Sequence, residues 1–425
     1  MYVFVQAACP WLDEHLKLFI QRHAPDAIFI NDFEDIPADA TTIFQYCGGS
    51  ELNRNFALHN KVKGLINAYP NSDALARKDH LAAVVDYWTA KRPDSILKQH
   101  VPQTVRLTLD YAEYVDEALT AADDLTLLAS LEDNDAKDPQ DREWWILKPA
   151  LVDCGAGIRL FSTIDELASH LELAEYEDES EDDSSTEDES SEPQECLTDK
   201  DSFTFSPLVF KEGGRIPSAQ MRAFVAQRYI ASIAPLENRK WHARAYVLSI
   251  GRLKVHVFHE MLALLAGEDY KPPWENPSLQ SSLTDTALQD DEVVVSRESI
   301  REFWAIREEL LPGERKERIF DQICGISGEF SRTLDGCFGL FGVDFLVDDR
   351  GNVWLLEVNE TPAFYQQGIA GPLSLRLMES VVQVAMEHMG VVEGGNREVK
   401  GRMVEVLDET GNLAKSNIME ILPED

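Results

Sequence analysis

Apolar and polar positions alternate along this chain with two periods, and the changes between them mark its elements. Tyr2–Ala7 predicts a strand, Leu12–Arg22 an amphipathic helix and Ala27–Ile30 a second strand, the alternation of a small α/β unit. Leu81, Val84, Val85 and Trp88 fall at helical spacing in RKDHLAAVVDYWTAK, with Lys78 in the first turn. Strands are predicted at Trp144–Leu147, ended by Lys148, and at Phe224–Ile230. Ala243–Ser249 and Leu253–Phe258 predict a hairpin. Residues 266–299, rich in Pro, Ser and Asp, predict a long loop, and helices are expected around 300–311, 316–334 and 372–389. Residues 391–425 predict a tail with a short hairpin near Gly411.

The most informative pattern is GLFGVDFLVDDRGNVWLLEVNETPAF, residues 339–364. Val343–Val347 and Val353–Val358 flank a turn, which predicts a β-hairpin. Centring the turn on Arg350-Gly351 sets Asp344 opposite Glu357, and an even-numbered loop keeps that register where an odd one breaks it. Asn359, two residues on, then shares their face. Opposed carboxylates repel unless a cation sits between them. Two carboxylates and an amide oxygen suit Mg²⁺ carrying phosphates, and an exposed hairpin with solvated acids is the plainer alternative.

Composition narrows the picture. A chain of 425 residues has room for two or three lobes. Six scattered cysteines without a C-x-x-C pair suggest reduced thiols in a cytoplasmic protein. The start lacks a basic signal-peptide region, and no uncharged apolar run is long enough to span a bilayer. The formal net charge of −37 argues against nucleic acid and anionic membrane as partners. An acidic insert at 175–200 supplies 13 acids and no base over 175–199, a composition that predicts disorder.

Candidate chemistry gathers at two further places. Lys148 ends a strand and leads through a loop to Gly155-Ala156-Gly157, which can set an ammonium and backbone N–H groups around phosphates, although the pattern by itself favours a plain turn. Lys240, His242 and Arg244 alternate and so project from one face. An Arg pointing into a cleft suits a transferring phosphoryl group, and a cationic edge strand facing water is the alternative.

In order along the chain, Arg77-Lys78, Trp145–Pro149, Gly155–Ile158, Gln227–Ile230, Lys240-Trp241-x-x-Arg244-x-Tyr246, Leu283-Thr284 and Asp344 with Glu357-Val358-Asn359 resemble the tubulin–tyrosine ligase-like family, most closely its fungal members. The similarity covers roughly residues 65–390. It implies an α/β (α+β) ATP-grasp fold, with two lobes closing on ATP behind a small N-terminal α/β domain. The expected division is 1–70, a central lobe at 71–235, a C-terminal lobe at 236–390 and a tail at 391–425.

The resemblance assigns phosphates to Lys78 and Lys148, and adenine to Gln227 and the backbone near Tyr229 and Ile230, with Lys240 close by. It assigns Mg²⁺ to Asp344, Glu357 and Asn359 and the γ-phosphate to Arg244. The implied activity is an ATP- and Mg²⁺-dependent carboxylate–amine ligase joining a free amino acid to a protein or peptide, tubulin tails by default, in a cytoplasmic monomer. The alternative is a degenerate ATP-grasp module that binds nucleotide or protein in mRNA-decay granules. His242 stands where the family usually has an acid, Leu264 where a basic residue is expected, and Asp285 where Asn is usual.

Overall fold

The computed structural model describes the chain except residues 8, 38–39, 49–51, 54–62, 69–71, 110–111, 152–156, 179–221, 252–253, 276–278, 283, 285–298, 331–336, 363, 367, 393–395 and 409–425. Residues 179–200 of the expected disordered insert, Gly155-Ala156, Asp285 and the Gly411 hairpin lie outside the described residues, whereas residues 175–178, assigned to that insert, are helical and end the helix Ile164–Asp178.

Strands β1 (Tyr2–Gln6), β2 (Ile28–Ile30), β3 (Thr42–Cys47) and β4 (Lys63–Ile66) form a parallel sheet of order β2-β1-β3-β4. Helix α1 (Pro10–His23) starts with Pro at its first turn and buries Leu12, Leu16, Phe19 and Ile20, the spacing of one helical face. A bridge between Ile66 and Cys337 and the stacked rings of Phe44 and Phe338, 5.6 Å apart, join this unit to the main sheet.

Helix α2 (Lys78–Lys91) follows and turns Leu81 and Val85 into the core beneath the main sheet. A second, antiparallel sheet has order β5-β8-β6-β7, built from β5 (Thr104–Thr108), β6 (Trp145–Pro149), β7 (Arg159–Phe161) and β8 (Ala223–Arg228). One face packs Trp145, Leu147, Phe224 and Ala226 against helices α3 (Val115–Ala121), α4 (Thr126–Asn134) and α5 (Ile164–Asp178). Because side chains alternate, Ile146, Lys148 and Gln227 are left on the other face.

The main sheet is organised by β9 (Arg239–Ile250), 12 residues long and paired on both sides. β10 (Lys254–Phe258) and β11 (Leu262–Asp269) share one edge of it, with β12 (Ile300–Glu302) beyond β11. Helix α6 (Gly313–Phe330) then leads to β13 (Phe338–Val347) on the other edge and β14 (Val353–Asn359) outside it. The long C-terminal helix is α7 (Ala370–His388), and β15 (Met403–Asp408) pairs with β10.

The odd-numbered face of β9 (Trp241, Ala243, Ala245, Val247) packs on Ile319, Phe320, Ile323 and Ile326 of α6. The even face changes character along its length. Tyr246, Leu248 and Ile250 pack with α7 and α1, while Lys240, His242 and Arg244 continue the same face as polar residues. Among the described residues no helix is long and apolar enough to cross a membrane.

Three expectations need correction. The helix predicted around 300–311 is instead strand β12, a 3-10 turn at Phe303–Ala305 and further turns, because Ile300 and Phe303 are anchored by pairing with β11 and by burial. The loop predicted from 266 begins only after β11, whose ladder runs to Asp269. The supposed tail contributes a short helix, Arg397–Gly401, and β15, so its first part belongs to the sheet.

Candidate functional site

The β13–β14 hairpin brings Asp344 opposite Glu357 and Gly342 opposite Asn359, the pairing read from the sequence, but by another route. The partners nearest the turn are Val347 and Val353, so the loop 348–352 has odd length and is centred on Arg350. That register alone would place Glu357 on the face away from Asp344. A shift between Asp344 and Phe345 restores the pairing, with Leu356 as the extra residue of a β-bulge. Asp348 organises the loop by accepting from the N–H groups of Arg350 (3.0 Å) and Asn352 (2.8 Å), Asn352 Nδ2 (2.8 Å) and Trp354 Nε1 (3.1 Å). Its carboxylate is therefore committed to the turn.

Across β9 the pairing Asp344–Arg244 places both residues on the polar face. Arg244 holds the carboxylate in a fork: its Nε donates to Oδ1, and its Nη2 donates to Oδ2 at 2.9 Å. His242 Nε2 lies 3.3 Å from Asp344 Oδ1, and the other ring nitrogen bonds Thr284 Oγ1. Burial alone would raise the Asp344 carboxyl, but Arg244 and His242 hold it well below the usual range. Glu357, whose side chain keeps 33% of its exposure, goes the other way: burial and the neighbouring Asp344 raise it against the pull of Lys78 and Lys148.

The second sheet faces this hairpin. Lys148 Nζ donates to Gln227 Oε1 at 2.8 Å, and Gln227 Nε2 to Thr104 Oγ1 at 3.2 Å. The Lys78 N–H donates to Ala150 O at 3.2 Å, which ties the start of α2 to the end of β6, and Lys78 Nζ stands 4.0 Å from Glu357 Oε2. Lys240 Nζ sits 3.9 Å from the centre of the Tyr229 ring.

Among the described residues neither Lys148 nor Lys240 forms a salt bridge, although both are more than nine-tenths buried. Burial drives the Lys148 ammonium down to about 8, with Glu357 pulling against it and Lys78 adding to it. Burial, and then Lys148, drives Lys240 down to about 7. β9 is thus a central strand, and the reading of a cationic edge facing water falls away.

Beside these cations lies an apolar wall of Trp144, Ile146, Ile158, Leu160 and Tyr229, with Trp274 packed on it. Tyr229 gives its N–H to Trp144 O at 2.8 Å, which leaves its carbonyl and the backbone of Ile230 as the groups beside this wall not taken up by that bond. Of the glycine loop only Gly157 is described, at φ +71°. Leu264 pairs with His242 and is buried with Ile300 and Leu262, an apolar position in the ladder. Sequence reasoning passed over Thr104 and the Ala150 carbonyl, which carry no local pattern. It also passed over the apolar wall, whose Ile146 could have been found from its alternation with Lys148.

The donor set can be tested against a metal. Among the described residues no group of three or more His, Cys, Asp and Glu side chains could hold an ion. Mg²⁺ does not require one, since it binds through one or two carboxylates and completes its shell with water and substrate phosphates. The raised Glu357 carboxyl beside Asp344 marks a place where added positive charge is favourable. The residues fit Mg²⁺ arriving with a polyphosphate.

The sequence profile of the Tubulin-tyrosine ligase family matches residues 56–394. A probable tubulin–tyrosine ligase of Schizosaccharomyces pombe is 38% identical over 338 residues, covering 76% of this chain and 77% of that protein. The probable tubulin–tyrosine ligase PBY1 of Saccharomyces cerevisiae is 32% identical over 347 residues, 77% of this chain but 43% of the longer yeast protein. Among solved structures, the C-terminal domain of K. lactis Pby1 superposes with a TM-score of 0.65 at 25% identity, covering 96% of this chain and 98% of that domain. It is described as an ATP-grasp enzyme interacting with the mRNA decapping enzyme Dcp2. The profile spans both the Lys148 strand and the Asp344–Glu357 hairpin, and with these identities it settles the family and the ATP-grasp fold. The chain belongs to the tubulin–tyrosine ligase family.

Proposed function

We propose that the chain is an ATP- and Mg²⁺-dependent ligase that joins an amino acid to a carboxylate of a protein or peptide. The observation that carries this reading is the pair of buried ammoniums, Lys148 and Lys240, without carboxylate partners among the described residues. Two buried lysines pushed down in this way are stabilised when a polyanion enters between them. Lys148 and Lys78 would hold phosphates, Gln227, Tyr229 and Ile230 would meet the purine against the Ile146 and Leu160 wall, and Lys240 would stand between the purine and the phosphates. Asp344, Glu357 and Asn359 would hold Mg²⁺, whose contribution is to neutralise charge on the phosphates.

The reaction that fits is transfer of the γ-phosphoryl group to a carboxylate oxygen, with Arg244 placed to neutralise the transferring group. An amine then attacks the acyl carbon; an amide forms, phosphate leaves, and the amine's proton passes to solvent. Positioning and charge neutralisation are enough for such chemistry, which needs no protein nucleophile. Tubulin is the substrate that the relatives' names suggest. An acidic tail suits this chain poorly, because −24 of its charge lies outside residues 175–199 and an acidic partner is met best by a basic surface.

A second reading draws on the likeness to the K. lactis domain over 96% of this chain. In it the chain binds nucleotide or a decapping-type protein partner without turnover, in cytoplasmic mRNA-decay granules. One experiment separates the two. Purified protein is incubated with Mg²⁺-ATP, amino acids and a cell extract, and ADP release and peptide mass shifts are read. Amino-acid-dependent ADP release with a peptide mass increase supports the ligase; nucleotide binding with neither supports the module.

A further inference from the structure

The carboxylate assigned to the metal is engaged by a side chain of the chain itself. Both oxygens of Asp344 accept from the Arg244 fork, and the acid is 3% exposed. The neighbouring position on the same face of β13 is Gly342, where a Cβ would press on Pro362 Cβ at 3.0 Å and meet Arg244 only in ordinary contact, 3.4 Å from Cδ and 3.5 Å from Nη1. The side chain of Arg244 keeps 14% of its exposure, against 5% for Asp344, so it is the member of the pair that borders the cleft.

We propose that Arg244 is a latch on the metal site, holding Asp344 until a nucleotide phosphate draws it away, so that nucleotide and divalent cation bind as one coupled event. This rests on the nucleotide reading above. The physical reason is a conservation of charge pairs. A cation arriving alone at Asp344 would leave the guanidinium buried and unpaired, and a phosphate arriving alone at Arg244 would leave the carboxylate unpaired. Either outcome carries the penalty of an uncompensated buried charge. When both arrive, Arg244 exchanges a carboxylate for a phosphate and Asp344 exchanges a guanidinium for a cation, so every charge keeps a partner. His242, 3.3 Å from Oδ1 and anchored to Thr284, holds the carboxylate in place during the exchange.

The test is Mn²⁺ binding followed by electron paramagnetic resonance on nucleotide-free protein. Wild type should bind Mn²⁺ weakly, and Arg244→Met at least tenfold more tightly. Adding Glu357→Gln to that variant should remove the gain. Equal affinity in wild type and Arg244→Met, or a gain that survives Glu357→Gln, overturns the latch. Should Arg244→Met fail to fold, wild type alone decides. A fluorescent ATP analogue should bind at least tenfold more tightly with Mg²⁺ than with EDTA, and equal affinities overturn the proposal. An analogue that binds under neither condition refutes the nucleotide reading, while the Mn²⁺ comparison still reports on the latch.

Discussion

Nucleotide binding should take up protons, by an amount that Lys148 and Lys240 set. With a pKa of about 8, Lys148 is half neutral at pH 8, so a bound polyphosphate that restores its charge takes up ~0.5 proton. Lys240, at about 7, is nearly neutral at pH 8 and adds up to ~0.9 proton. The sum is ~1.4 protons at pH 8 and ~0.1 at pH 6, where both ammoniums are already formed. Since only the charged forms hold the anion well, affinity should fall ~20-fold from pH 6 to pH 8 by linkage. The assay is titration calorimetry with a non-hydrolysable Mg²⁺-ATP analogue in two buffers of different ionisation enthalpy at each pH. At pH 8 the γ-phosphate is ionised and does not contribute. Lys148→Met should fold, bind more weakly and lose its share of the uptake. No uptake at pH 8, or an uptake unchanged in Lys148→Met, would refute the reasoning.

Other outcomes follow from the same geometry. Mg²⁺-ATP should raise the melting temperature, and Glu357→Gln should abolish that shift; a shift of equal size in the mutant would count against the metal assignment. Asp348→Ala removes an acceptor of four hydrogen bonds at the β13–β14 loop and should destabilise by ~2–4 kcal/mol in urea titrations, with nucleotide binding retained in the folded fraction. Phe345→Ala, at a fully buried ring on the odd face of β13, should cost ~3–5 kcal/mol by the same measurement.

Much of this arrangement was legible because it rests on alternation. Lys240, His242 and Arg244 had to share a face once they lay on one strand, and Lys148 had to oppose Trp145 and Leu147. The Asp344–Glu357 pairing was reached correctly on a mistaken premise: the loop is odd, and the bulge at Leu356 compensates. A bulge leaves no mark on an apolar run such as WLLEV, since its extra residue is no different in kind from its neighbours. The 300–311 segment, expected to be helical, is not. There the ladder to β11 overrides local preference, and strand partners distant in sequence cannot be seen from the segment itself. The same holds for β15, which gains its stability from β10 nearly 150 residues earlier. The fork between Arg244 and Asp344 was also out of reach, because both residues were assigned to ligands and their contact with each other depends on the register of β9 with β13.

The central claim is that two sheets bring Lys148 and the Asp344–Glu357 pair together around a metal-bound nucleotide. A crystal structure with Mn²⁺ and a non-hydrolysable ATP analogue tests it most directly through the anomalous signal of the metal. The account predicts a peak between Asp344, Glu357 and the phosphates, with Lys148 against the phosphates and the purine on Ile146. A metal or nucleotide bound elsewhere, with Lys148 and Glu357 touching neither, would contradict it.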